Sequence, residues 1–360
     1  MELRPKARSA VHHALFFIDP SGDARRRDGR DGKAGIRGMG FRPRQRAGAG
    51  FSSAAFDGSD GLGGHVPGAT PAKLPGDLAM FLPKGSDVVM QTHFHPSGKK
   101  ETEQAELALY FADKAPEKNL VAIQVPPAFG FTKMNPRPIP AGEKNYVVED
   151  SFTFPVPVDA IQVNGHAHYI CRKMKMTATL PNGKEGVLLD IQDWDLDWQD
   201  SYQFKKPISL PAGTVLKTRL VYDNSTGNTE NPFDPPRQIK WGPESDDEMG
   251  SITLVVVPKY KRDAQRLTDA QSAQMITGVV QAVPGAAEFI ERARKTLLNV
   301  KFYDRNKDGL IQFQEVPAYS RADIFGRFDK NKDKILDEKE QPALQTHLDS
   351  LTGGIPRPKR

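Results

Sequence analysis

Eight histidines occur in the chain, and six of them fall into three tight clusters: His12-His13, His93-Phe94-His95 and His166-Ala167-His168. On a strand, residues i and i+2 point to one face, so an H-x-H step sets two imidazoles where both can chelate a single ion. His166 and His168 precede Tyr169-Ile170 in a β-type stretch and suit that geometry. His12 and His13 are adjacent and would point to opposite faces of a regular strand, so joint ligation there needs a strand end or an irregularity. His95 reads as a supporting or surface group, and His65 and His347 as structural. Imidazole suits zinc, copper, iron or nickel, and the third ligand helps to choose among them. The sequence has no HExxH, P-loop, G-x-S-x-G or clean G-x-G-x-x-G. The single cysteine, Cys171, rules out an internal disulfide framework and any CxxC centre.

A second set of residues carries oxygen chemistry. Residues 304–315 match the twelve-residue EF-hand calcium loop position by position, with Asp304, Asn306, Asp308, Leu310 through its carbonyl, Gln312 and Glu315 as ligands and Gly309 at the sharp turn. Calcium is large and hard and takes six to eight oxygens, two of them from a terminal Glu. A second loop offers Asp329, Asn331, Asp333, Ile335 through its carbonyl, Asp337 and Glu340. There Lys334 stands where Gly is usual, so it must take a positive φ and it adds a cation, and the second site is expected to be the weaker. The loops start 25 residues apart, so any helix between them must be short.

Four segments in order resemble the copper type II, ascorbate-dependent monooxygenases, the family of peptidylglycine α-hydroxylating monooxygenase and dopamine β-monooxygenase. Val11-His12-His13-Ala14-Leu15-Phe16-Phe17 resembles the family's paired-His strand. Val89-Met90-Gln91-Thr92-His93-Phe94 resembles its Gln-x-His-Tyr strand, His166-Ala167-His168-Tyr169 its His-x-His pair, and Asp247-Glu248-Met249 its Asp-Glu-Met segment. Together they span about 70% of the chain, residues 10–258. The resemblance implies two tandem jelly-roll sandwiches, each holding one copper. The first copper would take His12, His13 and His93 and pass an electron. The second would take His166, His168 and Met249, meet O₂ and oxidise a substrate C–H bond, with ascorbate or another one-electron donor reducing both. A soft thioether favours Cu(I), which fits that role; the alternative for Met249 is an ordinary core methionine.

The departures from the family narrow the substrate. In peptidylglycine enzymes an Arg two residues before the His-x-His pair and a Tyr four residues after the Met hold the substrate carboxylate. Asn164 and Thr253 stand at those positions here, and Ser251 replaces the Asn two residues after the Met. Without a bidentate, charge-assisted anchor, a small-molecule or peptide-like substrate is expected, but not a glycine-extended peptide. The family's disulfides are absent, and the first sandwich is expected to be incomplete at its N-terminal side.

These residues must be positioned by a mainly β chain. Short β runs separated by turns such as Pro181-Asn182-Gly183 and Pro211-Ala212-Gly213 fill residues 65–260. Runs at Ala14–Ile18, Asp87–Met90, Leu107–Phe111, Leu120–Val125, Ser151–Phe154 and Ile252–Val257 are predicted strands. Helical spacing follows over Leu267–Val283 and Ala286–Val300, broken at Pro284-Gly285. The expected domains are a first copper-binding sandwich over 1–117, a second, catalytic one over 118–260, a helical linker over 261–300, a small α-helical EF-hand module over 301–350 and a disordered tail over 351–360. The net charge of +5 is concentrated in residues 21–50, where eight Arg and one Lys meet three Asp. With one aromatic there, Phe41, this reads as a solvated loop within 21–64 rather than a nucleic-acid arm. No apolar run reaches the roughly 18 residues of a membrane span, and the N-terminus lacks the pattern of a signal peptide. Copper, O₂ and calcium together predict an extracytoplasmic oxidoreductase, the missing disulfides and closely spaced loops a bacterial one, and a monomer is expected. The rival readings are a non-catalytic copper- and calcium-binding scaffold, or a fragment of such an enzyme. A zinc hydrolase using His166 and His168 would need a carboxylate base that the sequence does not reveal.

Overall fold

Strand periodicity in the middle of the chain makes a two-layer core. In the computed structural model, β6 (Val121–Val125), β7 (Tyr146–Thr153), β8 (Val158–Ala167), β9 (Cys171–Thr179), β10 (Glu185–Ile191), β11 (Ser201–Leu210), β12 (Val215–Tyr222) and β13 (Gly250–Pro258) form two antiparallel four-stranded sheets. Their orders are β10-β9-β12-β7 and β11-β8-β13-β6. Alternate residues of both sheets, such as Met174, Met176, Leu216 and Leu220 against Ile123, Val163, Ile252 and Leu254, meet in one core. The structure describes residues 1–19, 22–30, 32, 35–36, 61–65, 73–80, 82–118, 120–134, 137–242, 244–286, 288, 292, 299–316 and 318–350. Most of the basic loop, much of the second predicted helix and the tail lie outside the described residues.

Before the sandwich come β1 (Glu2–Arg4), β2 (Val11–Asp19), β3 (Gly61–His65), β4 (Asp87–Phe94) and β5 (Glu106–Ala108), with a short helix α1 (Asp23–Arg27). They pair as β3-β2-β4 and β1-β5. Their core is small: Leu3, Ala14 and Phe16 are buried, with Met1, Val88, Ala105 and Leu107 against them. The predicted strand over Leu107–Phe111 ends at Ala108, because its partner β1 is three residues long, and Tyr110 and Phe111 are left exposed. The other predicted strands are present, several with longer bounds.

After β6, a 3-10 turn (Pro127–Gly130) and one turn of helix, α2 (Phe131–Met134), lead to β7. After β13, α3 (Ala264–Ala282) lays Leu267 on the sandwich core. Within it, the Gln271 side-chain amide accepts from Gln124 N–H at 2.9 Å and donates to Gln124 C=O at 3.0 Å, which closes the edge strand β6. By internal contacts the chain divides into two units, and everything up to Gln271 described so far belongs to the first.

The second unit, from Ser272, holds α4 (Ala318–Phe328), α5 (Gln341–Ser350) and the two-residue strands β14 (Ile311–Gln312) and β15 (Ile335–Leu336). Tyr303, Ile311, Val316, Ile324, Phe325, Phe328, Leu336, Leu344 and Leu348 make its own core. One helix of eleven residues separates the two acidic loops, in keeping with their close spacing.

Candidate metal centre

The irregularity that adjacent histidines require is present. β2 and β4 pair Val11 with Phe94 and His13 with His93, with a register shift between Val11 and His13. His12 is therefore the extra residue of a β-bulge, which re-aims its side chain to the side of its neighbour. The His12 and His13 rings lie 4.8 Å apart and those of His13 and His93 4.1 Å apart, the latter pair stacked. His95 is exposed, and only its backbone bonds back, to Ala10 C=O.

His166 lies at the end of β8 and His168 just past it, with ring centroids 5.4 Å apart. β13 pairs Ser251 with His166 and Gly250 with Ala167, so one further step of that register brings Met249 beside His168. Glu248 clamps this junction: one of its carboxylate oxygens accepts from both His168 N–H (2.7 Å) and Met249 N–H (2.8 Å), and the other from Ile170 N–H. Burial pushes the Glu248 carboxyl up to about 8 against the pull of those donors. Met249 is itself buried and packs with the apolar core of the sandwich. Over the other side of His166 stands Phe129, ring centroids 5.0 Å apart, in a turn where both Ala128 and Phe129 have positive φ. Two such residues store about 1–2 kcal/mol each, and Phe129 is tied down by Trp241 Nε1–H on its carbonyl at 3.0 Å.

The two imidazole groups lie close enough to act on one another electrostatically. Burial first, then the nearby His93, His12 and His168, lower His13 to about 3. Burial, then His168, with His13 and His93 further off, lower His166 to about 3. Neutral imidazoles with available lone pairs are what a metal needs.

Hydrogen bonds set which nitrogen holds that lone pair. The Gln199 amide donates through Nε2 to Leu196 C=O, so its Oε1 accepts from His166 Nδ1–H at 2.6 Å and leaves Nε2 open. His168 Nδ1–H donates to Asp247 C=O at 3.2 Å, again leaving Nε2. The Asp197 carboxylate accepts from His12 Nε2–H at 2.6 Å and leaves Nδ1, which in turn accepts from His13 Nδ1–H at 2.9 Å.

Among the described residues, no group of three or more His, Cys, Asp or Glu side chains is arranged to hold a metal ion as it stands. The stacked His13 and His93 rings explain part of this, since lone pairs lie in the ring planes and cannot converge until one ring turns. As a donor set, neutral imidazoles fit copper; Met249 adjoins His168 through the strand register, with its side chain packed in the sandwich core.

In the second unit the acidic loops share one backbone pattern. Glu315 reaches back to accept from Arg305, Asn306 and Gln312 N–H, and Glu340 does the same with Lys330, Asn331 and Asp337. Asp304 accepts from Gly309 N–H and Asp329 from Lys334 N–H, each at 3.0 Å. Lys334 has φ 66°, following Gly309 at 86°, as its position demands. Asp329 Oδ1 is buried without a hydrogen-bond partner, and an orphaned carboxylate oxygen aimed into an oxygen-rich loop fits a calcium ion.

Asp197, Gln199, Trp194, Phe129 and the clamping role of Glu248 escaped the sequence reading. The only signal was the unusual run Asp193-Trp194-Asp195-Leu196-Asp197-Trp198-Gln199.

No family model matches the chain, and no curated protein matches it. Among solved structures it is similar to that of the infectious bursal disease virus Gx strain, at 9% identity over 72% of this chain and 54% of that one, TM-score 0.22. It is also similar to the T13 IBDV viral particle, at 8% identity over 82% and 74% of the two chains, TM-score 0.19. The chain spans just over half the length of the first of these, and scores this low carry no inference about fold or function.

Proposed function

We propose that the chain is a copper-dependent monooxygenase that hydroxylates a substrate C–H bond with O₂ and a one-electron donor such as ascorbate. On this reading its β region is two tandem jelly-roll sandwiches and its C-terminal unit a calcium-binding EF-hand pair. The observation that carries it is the meeting of the bulged His12-His13 pair and His93 with His166, His168 and the adjoining Met249 in one unit.

Bound copper would supply the one-electron redox and O₂ chemistry. The overall reaction balances when two donors give one electron each, a C–H bond becomes C–OH and the second oxygen atom leaves as water with two protons. The chain's part is to keep the imidazoles neutral by burial, to present Nε2 of His166 and His168, and to shield the site with Phe129. The strand row beside His166 carries Ser251, Asn164 and Thr253, the latter two paired directly, and none of the three is charged. That row supports a small-molecule or peptide-like substrate without a carboxylate to anchor. Both Glu248 oxygens are engaged by backbone N–H groups, which weighs against a hydrolytic base. Calcium would then be structural, consistent with an extracytoplasmic setting. No helix among the described residues is long and apolar enough to cross a membrane.

Metal counting tests this. Protein loaded with copper and calcium and freed of excess should carry two coppers per chain and consume O₂ with ascorbate; no copper refutes it. One copper without turnover would favour the scaffold reading, which the small core around β2 also supports.

A further inference from the structure

One loop touches both imidazole groups. Between β10 and β11, Asp197 holds His12 Nε2 at 2.6 Å and Gln199 holds His166 Nδ1 at 2.6 Å. The same loop is fastened to the sandwich at three further points. Trp194 Nε1–H donates to His168 C=O at 3.2 Å and Trp194 N–H to Arg172 C=O at 2.9 Å, while Arg172 pairs with Asp193 at 2.6 Å. Leu196 C=O fixes the Gln199 amide. Trp194 is buried, so the loop has a rigid root, whereas the Asp197 side chain is 74% exposed and reaches out to the strand β2.

We propose that residues 193–199 form a positioning strap, in which Asp197 orients the first imidazole group and Gln199 the second, so that two residues of one loop serve two different metal ions. This rests on the copper reading above. The physical reason is leverage. Groups two residues apart on an extended chain are separated by at most about 7 Å, so a strap rooted by Trp194 keeps the imidazoles it holds near each other. Each hydrogen bond also selects a tautomer, which decides the nitrogen left for the metal. Supporting partners of this kind alter metal affinity by about 10–100-fold. The β2 sheet has a small core of its own, so its orientation toward β8 depends on such a tie.

The test uses the full chain, copper-free, titrated with Cu(II) against a competing chelator and followed by electron paramagnetic resonance. Asp197→Ala should weaken one copper by about 10–100-fold and alter its spectrum, leaving the other within twofold. Gln199→Leu should do the reverse. Asp197→Asn, which keeps an oxygen acceptor for His12, should restore most of the affinity that Asp197→Ala loses. Copper-free melting temperatures of the two Asp197 variants should match the parent, because the Asp197 side chain is exposed; Gln199→Leu is read by its spectrum, since it also leaves His166 Nδ1–H without its acceptor. Wild type binding two coppers, with both variants spectroscopically silent or both weakening the same copper, overturns the strap and leaves the copper reading standing. Wild type binding no copper removes both.

Discussion

Glu248 offers the sharpest physical test of the junction that holds His168 and Met249. Its carboxyl is fully buried, and burial lifts its pKa from 4.5 to about 8. The folded state therefore binds a proton that the unfolded chain releases. That contribution is complete below pH 4.5 and is lost as pH rises toward 8. At about 1.4 kcal/mol per pH unit, copper-free protein should lose about 4 kcal/mol between pH 5 and pH 9 from this group alone. Glu248→Gln removes the titration. The glutamine keeps one oxygen for His168 and Met249 N–H but turns an NH₂ toward Ile170 N–H, and a donor facing a donor costs about 1–3 kcal/mol. The variant should thus be less stable than the parent at pH 5, and the gap should close or reverse by pH 9. Urea denaturation of both proteins across that range measures it. Parallel curves, or a parent whose stability rises with pH, would refute the reasoning, because the backbone donors would then have outweighed the cost of burying the charge.

Further outcomes follow from neighbouring groups. His13 and His166, lowered to about 3, stay neutral in the fold while their unfolded forms take protons below 6.5. Each should cost about 2 kcal/mol at pH 5, visible as acid destabilisation that His13→Gln removes in part. A Cβ at Gly250 would overlap the Tyr222 hydroxyl, which donates to Met249 C=O, whereas one at Gly165 meets the flexible Met174 Sδ at 2.6 Å. Gly250→Ala should therefore cost about 2–3 kcal/mol and Gly165→Ala about 1, and equal losses in urea melts would count against this packing. Lys334→Gly relieves an αL side chain worth about 1 kcal/mol and removes a cation from the second acidic loop. Calorimetric titration should show tighter calcium binding there, and unchanged affinity would argue against that loop as a site.

How much of this was legible beforehand differs by element. The sandwich strands were readable because burial on one face imposes a period of two, as in β7, where Val148 and Phe152 point inward. Both acidic loops were readable because their oxygen-bearing side chains lie within twelve consecutive residues. The strand at Leu107–Phe111 was overextended because propensity says nothing about the length of its partner, and β1 has only three residues to offer. The His12 bulge could be stated as a requirement but not located, since a bulge is a property of two strands together.

The amino-acid sequence by itself determined the mainly β class, the helical C-terminal unit and the types of donor atom at hand, because periodicity and local spacing are written along one chain. The tertiary structure alone decided that His13, some 150 residues from His166, lies near enough to act on it, that Asp197 and Gln199 partner His12 and His166, and that Glu248 is buried at the His168–Met249 junction. Those facts depend on which strands become neighbours, and a hydrogen bond between residues 185 apart leaves no periodic trace in either segment.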